Sequence, residues 1–250
     1  MLKEVKKTME TRNILIALAI KHQGDWDRIY KDICAKNCPS ESELEQAEGV
    51  KAITIVDENY PSVLKNVYKP PFVLFYEGDI NLLNSNNIVA IMGAREPSAY
   101  SLQATLDIVD NNYQDNVIMT TLAKGISMQA TIRALDNNQK TIVVLAYGLD
   151  IDYLGSQNVL PMIKESGLAI TEYPQGTQPQ NENFAARMRI ISALANELAI
   201  TEVGKQSGIL IAVNYALQMG KDIYVLPQRV DTDTYNNTLI SEGAQVLLPC

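Results

Sequence analysis

The sequence predicts an α/β fold in which helices cover both faces of a mostly parallel sheet, preceded by a small helical segment. Three observations lead to this prediction. From residue 87 onward, short apolar runs alternate regularly with helix-like stretches. Several of these runs are apolar at every position, as strands buried on both faces are. In addition, 46% of the 250 residues are hydrophobic, which is enough for a substantial core.

Residues 1–50 are predicted to form three helices. The first, over residues 2–21, places apolar residues on one side and charges on the other. Asp25 is a suitable N-cap for a second helix that ends near Cys34. Ser40 and Glu43 have capping-box spacing at the start of the third. We expect residues 1–50 to form a small helical domain and residues 51–250 to form the sheet domain.

The sheet domain is expected to begin with a bridging segment, residues 51–86. Strands at 52–56 and 72–76 flank a short helix that ends near Val67, and Pro70-Pro71 forces an extended backbone before the second strand. Beyond this segment, strands are predicted at 87–92, 117–121, 141–146, 168–171, 198–200, 223–226 and 245–248. Helices are predicted at 100–110, 128–135, 159–165, 187–194 and 209–219.

Composition narrows the class of protein. The net charge of −8 argues against a protein that coats nucleic acid with its whole surface, although a local basic groove remains compatible with it. The apolar run at residues 14–20 is too short to cross a bilayer and lacks a signal-peptide cleavage site, so we expect no membrane association.

Three cysteines are too few and too sparse for a disulfide framework, which favours a reducing cytoplasm. Cys34 and Cys38 have a helical spacing, but His22 is the sole histidine in the sequence, so a zinc site would lack ligands. We therefore expect neither a metal nor a cofactor.

The most informative residues follow the predicted strands. Right-handed crossovers bring the loops after parallel strands to one edge of the sheet, where ligands bind. Helix starts at that edge offer free N–H groups and the positive end of the helix dipole, and arginine gives bidentate contacts to phosphate. We predict that these groups converge on a phosphate-bearing ligand. The candidate site residues are Gly93, Arg95, Ser98, Lys124, Gly125, Arg187, Arg189, Ser207 and Gly208.

Known catalytic and nucleotide-binding fingerprints are missing from these loops. The sequence contains no G-x-G-x-x-G, no P-loop and no Ser-His-Asp set. Glu172 and Glu202 are candidates for acid/base carboxylates or for residues that orient an arginine or cap a loop. Tyr147, Tyr153 and Tyr173 are candidates for stacking on a base or for packing in the core.

The order of the loop sequences is more specific than any one of them. The quoted motifs are Gly93-Ala94-Arg95, Thr-Leu-Ala-Lys-Gly-Ile at 121–126, Gly-Leu-Asp at 148–150, Thr-Glu-Tyr-Pro at 171–174, Phe-x-x-Arg-x-Arg-Ile-Ile at 184–191, Ser-Gly-x-Leu at 207–210, Gly-Lys at 220–221, Pro227, and Asn-x-Leu-Ile at 237–240 with Gly-Ala at 243–244. Together, over about residues 52–248, they resemble the DprA/Smf family of DNA-processing proteins.

This resemblance implies an extended Rossmann-like fold that binds single-stranded DNA without sequence preference and forms a homodimer. It further implies a recombination mediator that hands the DNA to the RecA recombinase during DNA uptake in natural transformation, and no enzymatic activity. The helical N-terminal segment is similar in placement to the small SAM-like helical domain of many members.

Two other interpretations remain open. Several polar positions of the family pattern hold other residues here, among them Ser127, Gly155 and Ile209. A divergent member with weakened DNA binding, retained for its protein partners, would fit these replacements. A nucleotide-processing enzyme of the phosphoribohydrolase type would use a similar fold, but its Pro-Gly-Gly-x-Gly-Thr-x-x-Glu loop is missing from the sequence.

Overall fold

The structure, a computed structural model, describes residues 2–249, with side chains described from residue 10 onward; Met1 and Cys250, the ends of the two predicted domains, lie outside the described residues. The helices are α1 (Leu2–Lys21), α2 (Trp26–Ala35), α3 (Glu41–Ala47), α4 (Ala99–Asp107), α5 (Ile126–Asp136), α6 (Leu160–Ser166), α7 (Asn181–Ala186), α8 (Met188–Leu194), α9 (Ile209–Gln218) and α10 (Asn236–Ser241). The strands are β1 (Ala52–Thr54), β2 (Val73–Gly78), β3 (Ile88–Gly93), β4 (Val117–Thr120), β5 (Thr141–Leu145), β6 (Leu168–Thr171), β7 (Glu197–Glu202), β8 (Asp222–Val225) and β9 (Gln245–Val246).

The nine strands form one sheet in the order β1-β2-β6-β5-β4-β3-β7-β8-β9. The pairs β1/β2 and β2/β6 are antiparallel, and the other six pairs are parallel. The mostly parallel sheet predicted from the sequence is therefore confirmed. From β3 the chain continues to β4 on one side, whereas β7 lies on the other, so the order of strands reverses at β3. Ligands of such sheets bind outside the carboxyl ends of the strands at this reversal.

Both faces of the central strands are buried, as their continuous apolar sequence predicts. In β3, Ala90 and Met92 join the hydrophobic cluster that includes residues of α8 and α9. Val89 and Ile91 alternate with them and join a cluster on the opposite face that includes residues of α5. Burying a large aliphatic side chain contributes roughly 1.5–3 kcal/mol. Packing on two faces therefore holds the strand ends rigidly in place.

The three N-terminal helices begin and end close to their predicted positions. The Oδ1 atom of Asp25 accepts hydrogen bonds from the first backbone N–H groups of α2, and Ser40 and Glu43 form the predicted capping box at α3. Residues 15–19 of α1 pack into one cluster with residues of β5 and β6. The N-terminal helices therefore lie against the sheet, while the division of the chain into domains near residue 50 stays a prediction. Within residues 2–249, no helix is long and apolar enough to cross a membrane.

Two short helices differ from the prediction. α7 precedes the predicted helix at 187–194, and α10 occupies a stretch predicted as loop. None of the residues of α7 is buried, so its sequence lacks the apolar periodicity by which helices are recognised. Strand ends also differ by one or two residues. For example, β1 ends at Thr54, whose N–H donates to Asp57 in the following turn.

Candidate nucleic-acid interface

A cleft of about 550 Å³ opens at the carboxyl ends of β3, β4 and β7, where the strand order reverses. It is lined by Met92, Gly93, Ala94, Arg95, Thr121, Ala123, Ser127, Asn181, Phe184, Ala185, Arg187, Met188, Gln206, Ser207, Gly208, Ile209 and Ile211. Five of the nine candidate site residues are among them: Gly93, Arg95, Arg187, Ser207 and Gly208. Among the described residues, two arginines and no carboxylate line this cleft, although the chain carries a net charge of −8.

Arg187, at the junction of α7 and α8, is only 3% exposed. Its Nη1 atom donates to the carbonyl oxygens of Thr121 and Val144, at 3.1 Å each, and its guanidinium lies 5.3 Å from the centroid of the Phe184 ring. Its Nε atom has no hydrogen-bond partner among the described residues. Burial lowers the pKa of Arg187 to about 10, and the charge of Arg95 acts in the same direction. The side chain therefore remains a cation at neutral pH.

Arg95 provides the second cation of the cleft from the loop after β3. The residue is exposed, and no hydrogen bond or ion pair involves its side chain within the part of the chain that the structure describes. Its guanidinium is therefore free to contact an anion that enters the cleft.

Two glycines fix the loop that carries Arg95. Gly125 has a φ of +82°, and a Cβ atom there would lie 2.3 Å from the carbonyl oxygen of Ala94. The next residue, Ile126, donates its N–H to that same oxygen. A Cβ atom at Gly93 would lie 2.5 Å from the Ile126 side chain. The glycines thus allow close packing between two loops, and Gly125 itself does not line the cleft.

Lys124 lies next to the cleft but forms an ion pair with Glu96, with 2.8 Å between Nζ and Oε1. The hydrogen bond from Lys124 lowers the pKa of the Glu96 carboxyl. Both side chains are largely exposed, at 59% for Lys124 and 83% for Glu96. Exposed pairs of this kind contribute about 0–1 kcal/mol, so Lys124 can exchange its partner readily.

The start of α9 forms another wall. The Oγ atom of Ser207 accepts a hydrogen bond from the N–H of Ile209, the first residue of α9, at 3.2 Å. Gly208 is exposed, and a Cβ atom there would meet nothing within 4 Å. This helix start therefore faces open space at the cleft, with the positive end of its dipole toward any bound anion.

Arg189 and Ser98 do not line the cleft, because carboxylates already engage them. Arg189 is buried in a bidentate ion pair with Glu172, with both N–O distances at 2.6 Å. Burial by itself lowers the pKa of the Arg189 guanidinium. The negative charge of Glu172 and its hydrogen bonds outweigh this effect, so the pKa is raised. Ser98 caps α4 and donates both its N–H and its Oγ–H to Glu202. Glu172 and Glu202 thus orient an arginine and cap a loop, the second of the roles considered for them.

The three candidate tyrosines pack in or against the core, the second of the two roles considered for them. Tyr147 and Tyr173 are buried, and Tyr153 packs between the rings of Tyr147 and Phe184 at centroid distances of 5.4 and 5.5 Å. None of the three lines the cleft, whereas Phe184 does. The sequence signal for Phe184 was its position in the Phe-x-x-Arg motif, which places it one helical turn before Arg187.

The order of the sheet and the position of the cleft define a Rossmann-like protein with a cationic cleft at the reversal of its strand order. The family model described as "DNA recombination-mediator protein A" matches residues 51–249. The chain therefore belongs to the DprA/Smf family of DNA-processing proteins, as its loop motifs indicated.

Individual relatives agree with this assignment. The chain is 33% identical to DNA processing protein DprA of Streptococcus pneumoniae over 78% of this chain and 70% of the relative. It is 33% identical to protein Smf of Synechocystis over 82% of this chain and 54% of that protein. It is 30% identical to DprA of Bacillus subtilis over 80% of this chain and 69% of the relative. The chain thus spans between 54% and 70% of the length of these proteins.

Two crystallised or otherwise solved relatives share the fold. DprA of S. pneumoniae superposes with a TM-score of 0.76 at 27% identity, over 98% of this chain and 94% of the other. DNA processing protein A of Helicobacter pylori, described for its single-stranded DNA binding mode, superposes with a TM-score of 0.70 at 30% identity, over 79% of this chain and 91% of the other. The extended Rossmann-like fold expected from the resemblance is therefore confirmed.

Proposed function

We propose that the protein binds single-stranded DNA without sequence preference in the cationic cleft at the carboxyl edge of its sheet. The observation that carries this proposal is the cleft lining, which includes Arg95 and Arg187 and, within the part of the chain that the structure describes, no carboxylate. A polyanion is the ligand that compensates such a surface. The single-stranded DNA described for the H. pylori relative supports the same choice of ligand.

The residues divide into two groups by their expected roles. Arg95, Arg187 and the helix start at Ser207 and Gly208 contact phosphate oxygens, which carry no sequence information. Lys124 joins them when phosphate replaces Glu96 as its partner. Gly93 and Gly125 act indirectly, because they hold the loop of Arg95, and Ser98 and Arg189 support the surrounding structure.

The wider activity follows from family membership and is part of the proposal. A protein of this family that holds single strands would act as a recombination mediator, loading RecA on incoming DNA in the cytoplasm, as a homodimer. The described residues that line the cleft include no carboxylate and no histidine for acid/base chemistry, which favours a binding protein over a nucleotide-processing enzyme. RecA-dependent ATP hydrolysis on DNA coated with single-strand-binding protein should rise when this protein is added, and no rise would argue against mediation.

DNA binding is tested by fluorescence anisotropy with labelled single strands of mixed sequence and of oligothymidine. We expect similar affinities for both strands and a loss of roughly 10- to 150-fold in Arg95→Ala, as removal of one charge-assisted contact predicts. Arg28→Ala is the matched control, because Arg28 is an exposed arginine on α2 that does not line the cleft. Equal affinities of Arg95→Ala and wild type would remove the cleft from the binding site. No binding by wild type at low salt would favour a member retained for protein partners.

A further inference from the structure

We propose that the floor of the cleft is a subsite for one phosphate monoester, supplied either by the end of a DNA strand or by a free nucleotide. This inference rests on the proposed function for its strand-end form, and it adds a preference that phosphodiester binding alone does not require. Arg187, Arg95 and the start of α9 form the subsite.

Arg187, at the floor of the cleft, is a buried cation without a carboxylate partner among the described residues. The guanidinium of Arg187 is almost fully removed from water, its acceptors are two neutral carbonyl groups, and its Nε–H has no acceptor among the described residues. Arg189, only two residues away, is also buried, but its charge is compensated by a buried carboxylate in bidentate contact. A buried charge without such a partner is costly. An anion in the cleft would supply the missing countercharge.

The positive charge of the cleft matches a phosphate monoester better than a phosphodiester. Arg95 faces the same cleft, and its charge helps to lower the pKa of Arg187, so the two cations act on each other across this space. The ten-residue helix α9 adds the positive end of its dipole. A phosphate monoester carries about −1.5 to −2 charges at pH 7, whereas each diester of a strand carries one. The monoester therefore compensates both arginines at a single point.

The size of the cleft also suits a small phosphate-bearing group. The cleft volume of about 550 Å³ lies within the roughly 300–1,000 Å³ of sites that enclose a small molecule. Arg187 lines the cleft but is only 3% exposed, so a ligand can approach its side chain over a small area only. A terminal phosphate has one substituent to accommodate, whereas a diester within a strand has two.

The experiment compares three ligands on the wild-type protein: an oligonucleotide with a terminal phosphate at its 5′ or 3′ end, the same oligonucleotide with hydroxyl ends, and AMP. A hydroxyl-ended strand two nucleotides longer matches the added charge. We expect the phosphorylated strand to bind about tenfold more tightly than both hydroxyl-ended strands, the fold-change of one further charge-assisted contact. If AMP binds but strands with and without terminal phosphate are equal, the subsite serves a free nucleotide.

Equal binding of all strands together with no binding of AMP overturns the subsite and leaves the single-strand proposal intact. Binding of AMP without binding of any strand overturns the single-strand proposal and leaves the subsite intact. Arg187→Lys keeps the charge but loses the guanidinium fork, so the tenfold preference should disappear in it. Arg28→Ala should retain the preference. Should Arg187→Lys fail to fold, the comparison of ligands on the wild-type protein still decides the question.

Discussion

Arg189 and Arg95 should respond to substitution in opposite ways, although both were candidates for the same site. Arg189→Met leaves Glu172 buried without a partner and removes two hydrogen bonds to the carbonyl oxygens of Lys69 and Ala186. Breaking a buried ion pair from one side costs about 3–5 kcal/mol. For a chain of this size, 1 kcal/mol corresponds to roughly 2–4 °C in Tm, so Tm should fall by roughly 6–20 °C.

Urea denaturation and differential scanning calorimetry measure this loss, with DNA affinity measured at a temperature at which the variant is folded. Arg189→Met should keep the affinity of the wild type within about threefold, because Arg189 does not line the cleft. Arg95→Ala should show unchanged stability, within about 0.5 kcal/mol for an exposed residue without partners, and weakened binding. A stable Arg189→Met with lost DNA binding would refute the assignment of Arg189 to the supporting structure.

Three further predictions concern the loops around the cleft. Gly125→Ala should lower the free energy of unfolding by at least about 1–3 kcal/mol, because its Cβ would meet the backbone of Ala94 at a positive φ; chemical denaturation measures this. Glu96→Gln should free Lys124 and strengthen single-strand binding a few-fold at low salt, an effect that disappears in high salt if it is electrostatic. Phe184→Ala should weaken binding of strands by up to about 1–3 kcal/mol if the ring stacks on a base, and anisotropy with an abasic strand should then show no further loss.

The sheet was predictable because its strands carry their signal locally. Each central strand is a short apolar run between loops with glycine or polar residues. Such a run is typical of a strand that is buried on both faces. The helices α7 and α10 carried little such signal, since α7 buries none of its residues and α10 buries only Asn236 and Leu239. Tertiary contacts stabilise these segments, and single-sequence periodicity does not record tertiary contacts.

The sequence was enough to predict at which edge of the sheet the candidate site lies. It predicted only some of the side chains that line the site. The strand-end rule brought together the loops of Arg95, Lys124 and Ser207. It did not show that Glu96 engages Lys124, because that depends on the direction of two exposed side chains.

Arg187 and Arg189 illustrate the limit most clearly. Residues two apart in a helical stretch point roughly 200° away from each other. The prediction that both arginines contact one ligand did not take this helical period into account. In the structure Arg187 lines the cleft, whereas Arg189 pairs with Glu172 away from it. Which arginine meets a carboxylate depends on Glu172 at the end of β6, a long-range pairing that the local sequence does not contain.

The salt dependence of single-strand binding tests the central claim most directly, since that claim is the meeting of cations with phosphates in the cleft. The dissociation constant is measured for wild type and Arg95→Ala over a series of salt concentrations. Each phosphate contact contributes about 0.7 to the slope of log K against log salt for single strands. The account predicts a steep slope for wild type and a slope shallower by about 0.7, with weaker binding, for Arg95→Ala. Coinciding lines for the two proteins would contradict it.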